Sequence, residues 1–94
     1  MQKFEWHEEK AKGNVDKHGI TFEEAKTTFA DACQLKVYDE VHSLIEDRWC
    51  LIGESVLGRV LLTVYTKRED DSIRIISSRL ASKKERSGYE SYRI

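Results

Sequence analysis

The sequence predicts an α+β domain: an N-terminal helix hairpin packed on a four-stranded antiparallel meander, followed by a C-terminal helix. Three observations carry this expectation. Near the start, two stretches with helical spacing are joined by one glycine in "KHGITFEEA". Through the middle, four short runs of β-branched and aromatic residues are separated by brief turns, which implies antiparallel neighbours. Near the end, Ser82-Lys83-Lys84-Glu85 has the form of a capping box, a hydroxyl N-cap answered by a glutamate three residues later. Ninety-four residues bury roughly 60–65% of the unfolded surface. That is enough for one core, so residues 1–94 are read as a single domain.

Phe4-Glu5-Trp6 alternates and reads as a short strand. A helix over 7–18 follows, with Ala11, Val15 and His18 repeating along one face. Gly19 supplies the left-handed position that ends helices, after Lys17 and His18 in a last turn that favours cations. Thr21 and Glu24 form a first capping box, opening a helix over about 22–30 with Phe22, Ala25 and Phe29 inward. Strands are then read in "QLKVYDE", "RWCLIGES", "RVLLTVYT" and "SIRIISSR", with "VHSLIED", "VLG" and "KREDD" between them. In the third of these, Val60, Leu62 and Val64 are expected under the helix pair. Arg59, Leu61, Thr63 and Tyr65 are expected on a half-open face. Ser82 caps the last helix, in which Gly88 costs about 1 kcal/mol relative to alanine.

Composition narrows the function. No apolar run approaches the roughly 20 residues of a membrane span, and "MQKFEWHEEK" is too polar for a signal peptide, so a cytoplasmic site is expected. Cys33 and Cys50 lack zinc-ligand spacing and read as reduced, partly buried thiols. The three histidines are scattered, so neither a metal site nor a cofactor is expected. Charge is uneven. Residues 1–47 hold six lysines, no arginine and eleven acids, whereas residues 48–94 hold ten basic residues and six acids. Such polarity suits one anion-facing surface. Two lysines in the first turn of the last helix add to it, because a helix N-terminus already carries partial positive charge.

Three motifs in order, "FEW…EKAKGNVDKHGITFEEA", "DRWCLIGES" and "IRIISSRLASKKERSGYE", span residues 4–90. Together they resemble the BrnT family of bacterial toxins. The resemblance implies a RelE-like fold and a ribonuclease that inhibits translation. It also implies a partner, a BrnA-type antitoxin whose ribbon-helix-helix domain binds DNA. The sequence departs from the family pattern at His7, where aspartate is usual, and at Ser78 and Leu80 around Arg79.

RNA is cut without metal when its 2′-hydroxyl attacks the adjacent phosphate, given a proton acceptor, a proton donor and cations for the phosphorane charge. Arg79, at the end of the fourth strand, is the first candidate, with Lys83, Lys84 and Arg86 of the last helix as phosphate contacts. The competing reading makes Arg79 an ion-pair partner for an acid of the antitoxin or of the N-terminal helices. Arg59, Tyr65 and Arg74 are expected along a shallow RNA surface, with Tyr65 stacking a base unless it belongs to the core edge. Arg48 matches the charged residue that the family has before tryptophan. His18 suits either proton role, or simply closes its helix; Lys17 beside it is a candidate RNA contact. Glu85 is a base or merely a capping residue, and Tyr89 a proton donor or a pin between helix and sheet. His42 reads as surface and Trp49 as core. A binding module without catalysis, or an inactive toxin acting as corepressor, would share the basic half.

Overall fold

The computed structural model describes residues 2–44 and 46–92; Met1, Arg93, Ile94 and, within the loop read over 41–47, Ile45 lie outside them. Helix α1 (Glu8–His18) stops at Gly19, whose φ of 70° is the left-handed value glycine adopts without strain. Helix α2 (Phe22–Thr27) is capped by the Thr21 hydroxyl, which accepts the Glu24 N–H. It is shorter than the expected 22–30, and Thr28–Ala30 continue as a 3₁₀ turn. The Thr27 and Thr28 hydroxyls bond back to the carbonyls of Glu24 and Ala25, a habit that tightens and bends helices. Gly53 lets this turn approach the sheet: a Cβ there would lie 3.0 Å from the Thr28 carbonyl oxygen.

The sheet has five strands rather than four and is mixed rather than wholly antiparallel. Strands β2 (Leu35–Tyr38), β3 (Trp49–Glu54), β4 (Val60–Lys67) and β5 (Ile73–Leu80) form the expected meander. Strand β1 (Phe4–Glu5) adds itself beside β5 in parallel, with Phe4 opposite Ile73 and Glu5 opposite Arg74, giving the order β1-β5-β4-β3-β2. Helix α3 (Lys83–Ser91) completes the chain, and both arms of its capping box are made.

The helix pair covers the opposite face of β4 from the one expected. Leu61 and Thr63 are 0% exposed and Tyr65 2%. Phe22, Ala25, Leu51, Tyr65, Ile73 and Ile75 form the core beneath the hairpin, with Tyr65 packed edge-on against Phe29 at 5.0 Å. Thr63 tolerates this burial because its hydroxyl meets that of Ser78 at 2.9 Å. Val60 instead packs with Ile52 and Tyr89 of α3, and Leu62 beside them.

The inner face of α1 also differs from expectation. Val15 is 42% exposed, His18 is half-buried, and the buried residue is Asn14. Trp49 packs against the hairpin-side core, as read. Both cysteines are unpaired and half-buried. No helix among the described residues is long and apolar enough to cross a membrane.

Candidate active site

The face of the sheet turned away from the hairpin is covered by α3 at one end and open along the rest. A groove of about 780 Å³ lies there. Val37, Cys50, Leu62, Val64, Ile76 and Ser77 contribute to its lining from four strands. His18 closes the β5 side, where α1 ends. The stretch Asp39–His42 and Arg48 close the side of β2 and β3. Arg79 and Glu85 stand at the end nearest α3.

A β-bulge is what delivers Arg79 to this face. Across β4 and β5, Val64 pairs with Ser77 but Tyr65 pairs with Ile75, leaving Ile76 as an extra residue. In an unbroken strand, Arg79 would share the face of Ile73 and Ile75, because side chains alternate with period two. The extra residue reverses that parity, as bulges near functional surfaces do.

Arg79, near the end of β5, is held by Glu85 of α3 and not by an acid of the N-terminal helices. Its Nη1 donates to Glu85 Oε1 at 2.8 Å and to the Leu80 carbonyl at 3.1 Å, and Nη2 donates to Glu85 Oε2 at 3.0 Å. The carboxylate thus takes the outer end of the guanidinium. Nε–H and the second Nη2–H, which form the side edge of the fork, have no partner among the described residues. Two parallel donors on one edge match two phosphate oxygens. The arginine's hydrogen bonds hold the Glu85 carboxyl at about 2 against the ordinary 4.5, opposed by partial burial and aided by the Ser82 amide. A carboxylate so acidic is a poor proton acceptor at neutral pH.

His18 and His42 both line the groove, one from the end of α1 beside β5 and the other from the stretch that follows β2. His42 Nδ1 lies 2.9 Å from Asp39 Oδ2. Arg48 has a buried Nε without a partner among the described residues, and its Nη2 is 3.9 Å from Glu46. Burial chiefly, with Asp39 nearby, pushes the Cys50 thiol up from its usual value, so it stays protonated on the floor.

The other candidates lie elsewhere. Arg59 turns to the hairpin, where its Nε donates to Glu24 Oε2 at 2.9 Å and its Nη2 to Oε1. Glu24 therefore leaves its capping box half made, its carboxylate also accepting the Ser55 hydroxyl at 2.7 Å. That pairing is the first cause of a lowered Glu24 carboxyl pKa. Tyr65 is buried, which raises its phenol, and no base can reach its faces. Tyr89 is 0% exposed and its hydroxyl donates to Asp31, so it pins α3 to the sheet. Arg74 pairs with Glu5 of β1, Nε to Oε2 at 2.8 Å. Arg86 lies 3.2 Å from Glu90. Lys17, Lys83 and Lys84 are exposed and outside the groove lining.

Sequence reasoning read His42 as surface, which its exposure bears out, but missed its place in the groove lining, and it passed over Asn14. Asp39 three residues before His42 was the available signal for the first. For the second, it was an asparagine on the stripe Ala11, Asn14, Val15, His18. A second hollow of about 570 Å³ is lined by five acids against two basic residues, a poor seat for phosphate.

A family model described as "Ribonuclease toxin, BrnT, of type II toxin-antitoxin system" matches residues 6–85. The 1.1 Å crystal structure of the ribonuclease toxin BrnT from Brucella abortus aligns with 88% of this chain and 100% of that one, at a TM-score of 0.65 and 22% identity. At that identity the likeness is one of fold. No curated protein matches the chain.

Proposed function

The chain belongs to the BrnT family of ribonuclease toxins of type II toxin–antitoxin systems, and from that premise we propose that it cuts RNA in the groove without a metal ion. The 2′-oxygen attacks the adjacent phosphorus, forming a P–O2′ bond while the P–O5′ bond breaks. The 2′-hydroxyl proton passes to a base, and the departing 5′-oxygen receives a proton. The products are a 2′,3′-cyclic phosphate and a 5′-hydroxyl. The supporting observation is that His18 and Arg79, whose side edge has no partner among the described residues, line the same hollow.

In this reading His18 takes part in proton transfer, with His42 on the far side suited to the second transfer. Arg79 presents its free edge to the phosphate oxygens as charge builds on them. Arg48, the residue before β3, gives a second cation in the groove lining. Glu85 holds Arg79 in place. Lys17, Lys83, Lys84 and Arg86 lie outside the groove and draw the polyanion toward it. Cleavage of messages halts translation in the cytoplasm, and a BrnA-type ribbon-helix-helix antitoxin neutralises the toxin, linking it to DNA only indirectly.

The test is cleavage of a defined RNA by the purified, antitoxin-free chain in EDTA, with His18→Ala beside it. Cleavage is expected to persist in EDTA, to leave cyclic phosphate ends, and to fall about 10²–10⁴-fold in the variant. Adding the antitoxin should abolish it. RNA that is bound but never cut would make the chain a binding module. Cutting that needs added magnesium would overturn the metal-free route.

A further inference from the structure

Helix α1 meets the sheet through a polar side chain. Strand β1 covers β5 only at Ile73 and Arg74, so further along β5 no strand among the described residues pairs with the outer edge. Asn14 fills that position at Ser78. Its Oδ1 accepts the Ser78 N–H at 3.0 Å, and its Nδ2 donates to the Ser78 carbonyl at 2.7 Å. The same Nδ2 donates to the Ile20 carbonyl at 2.9 Å, just beyond the end of α1. The side-chain amide therefore stands in for the peptide of a missing strand. Asn14 is 6% exposed and Ser78 1%, so these bonds are made away from water, where an unmade one is costly.

The neighbours of the two clamped residues are the ones the groove uses. Arg79 follows Ser78 directly. His18 stands four residues after Asn14, one turn along the same helical face. The clamp thereby joins the strand position that carries Arg79 to the helix turn that carries His18. No other hydrogen bond among the described residues ties α1 to β5.

We infer that Asn14 is a positioning residue that sets His18 against Arg79, without itself touching RNA. This rests on the proposal that those two act on one phosphodiester. The chemistry of the clamp selects asparagine. Aspartate has no donor for the two carbonyls, leucine has neither donor nor acceptor, and glutamine sets the helix one methylene further from the strand.

The test is a double-mutant cycle on RNA cleavage in EDTA with His18→Ala, Asn14→Ala and the pair. Phe22→Leu serves as a control that loosens the core without touching the clamp. Misplacement by about 1 Å can cost about 100-fold, so Asn14→Ala is expected to lower kcat by about 30-fold or more, with KM changed less than about threefold. In the pair, turnover should stay within about threefold of His18→Ala alone, because a residue acting through another costs little once that other is gone. Asn14→Gln keeps both hydrogen-bonding groups on a longer arm and supplies the same cycle should the alanine variant not fold. Additive losses, or an equal fall in kcat for Phe22→Leu at a matched thermal midpoint, would overturn the clamp alone. Undiminished turnover in His18→Ala would overturn the groove reading and the clamp together.

Discussion

Arg59 and Arg79 each meet a glutamate that stands three residues after a hydroxyl N-cap: Glu24 after Thr21, and Glu85 after Ser82. The sequence motif and the charges are the same, yet the two pairs differ in the edge of the guanidinium that the carboxylate occupies. Glu24 takes the side edge of Arg59, through Nε and Nη2. Its carboxylate side chain is 4% exposed and has given up its capping arm. Glu85 takes the outer end of Arg79 and still accepts the Ser82 N–H at 2.8 Å. The first pair ties the turn before β4 to the hairpin, and the donors it leaves at the outer end of Arg59 lie outside the groove lining. The second is held firmly but keeps a free side edge on a residue that lines the groove. Both arginines keep donors, so suitability for phosphate in this chain depends on where those donors lie: Arg79 lines the groove and Arg59 does not.

That contrast can be broken most sharply by replacing each arginine with lysine, which keeps charge but loses the planar fork. Arg79→Lys is expected to lower RNA cleavage by about 100-fold. Arg59→Lys should leave cleavage within about threefold while lowering the thermal midpoint; equal losses of cleavage at both positions would erase the distinction. Glu24→Gln should destabilise the chain by about 2 kcal/mol in urea unfolding, the scale of a charge-assisted hydrogen bond, with turnover on folded protein unchanged. Glu85→Gln should do the reverse in kind. Turnover is expected to drop about tenfold as Arg79 loses its brace, while RNA binding tightens because the guanidinium charge is no longer offset.

A smaller effect follows from acidity. The Glu85 carboxyl sits at about 2 in the folded chain against an ordinary 4.5. A pKa depressed on folding adds stability that is complete above about 4.5 and is lost as pH falls through about 2. Relative to Glu85→Gln, the wild type should therefore lose about 1–2 kcal/mol across that window, after screening at the exposed Arg79 end. A flat difference between the two proteins from pH 5 to pH 2 would show that the pair contributes no stability.

Local signals carried much of the fold. Gly19 and Ser82 end and begin helices where the residues say, and the four strands of the meander need only alternation and short turns. What escaped was non-local. Two residues, Phe4 and Glu5, pair with a strand nearly seventy positions later, and no periodicity announces that. Alternation separates the two faces of β4 but does not say which one the helices choose. Thr63 and Tyr65 look like surface until Ser78 and Phe29 are brought beside them.

The site was legible in the same degree. Arg79, Glu85, His18 and Arg48 are near the groove because chain ends and motif ends put them there. Arg59 and Tyr65 were assigned by counting parity to the wrong face. Bulges such as the one at Ile76, which turns Arg79 outward, defeat parity counting. Glu24 was read through its capping box, and nothing in that pattern predicts a partner thirty-five residues away.

The measurement that bears most directly on the central claim is cleavage of one defined RNA in EDTA by Arg79→Ala and Arg59→Ala, each verified as folded by circular dichroism. The open edge of Arg79 in a groove whose lining leaves out Arg59 predicts at least about a 100-fold loss for the first and near wild-type turnover for the second. Undiminished cleavage by Arg79→Ala, or an equal loss from Arg59→Ala, would contradict it.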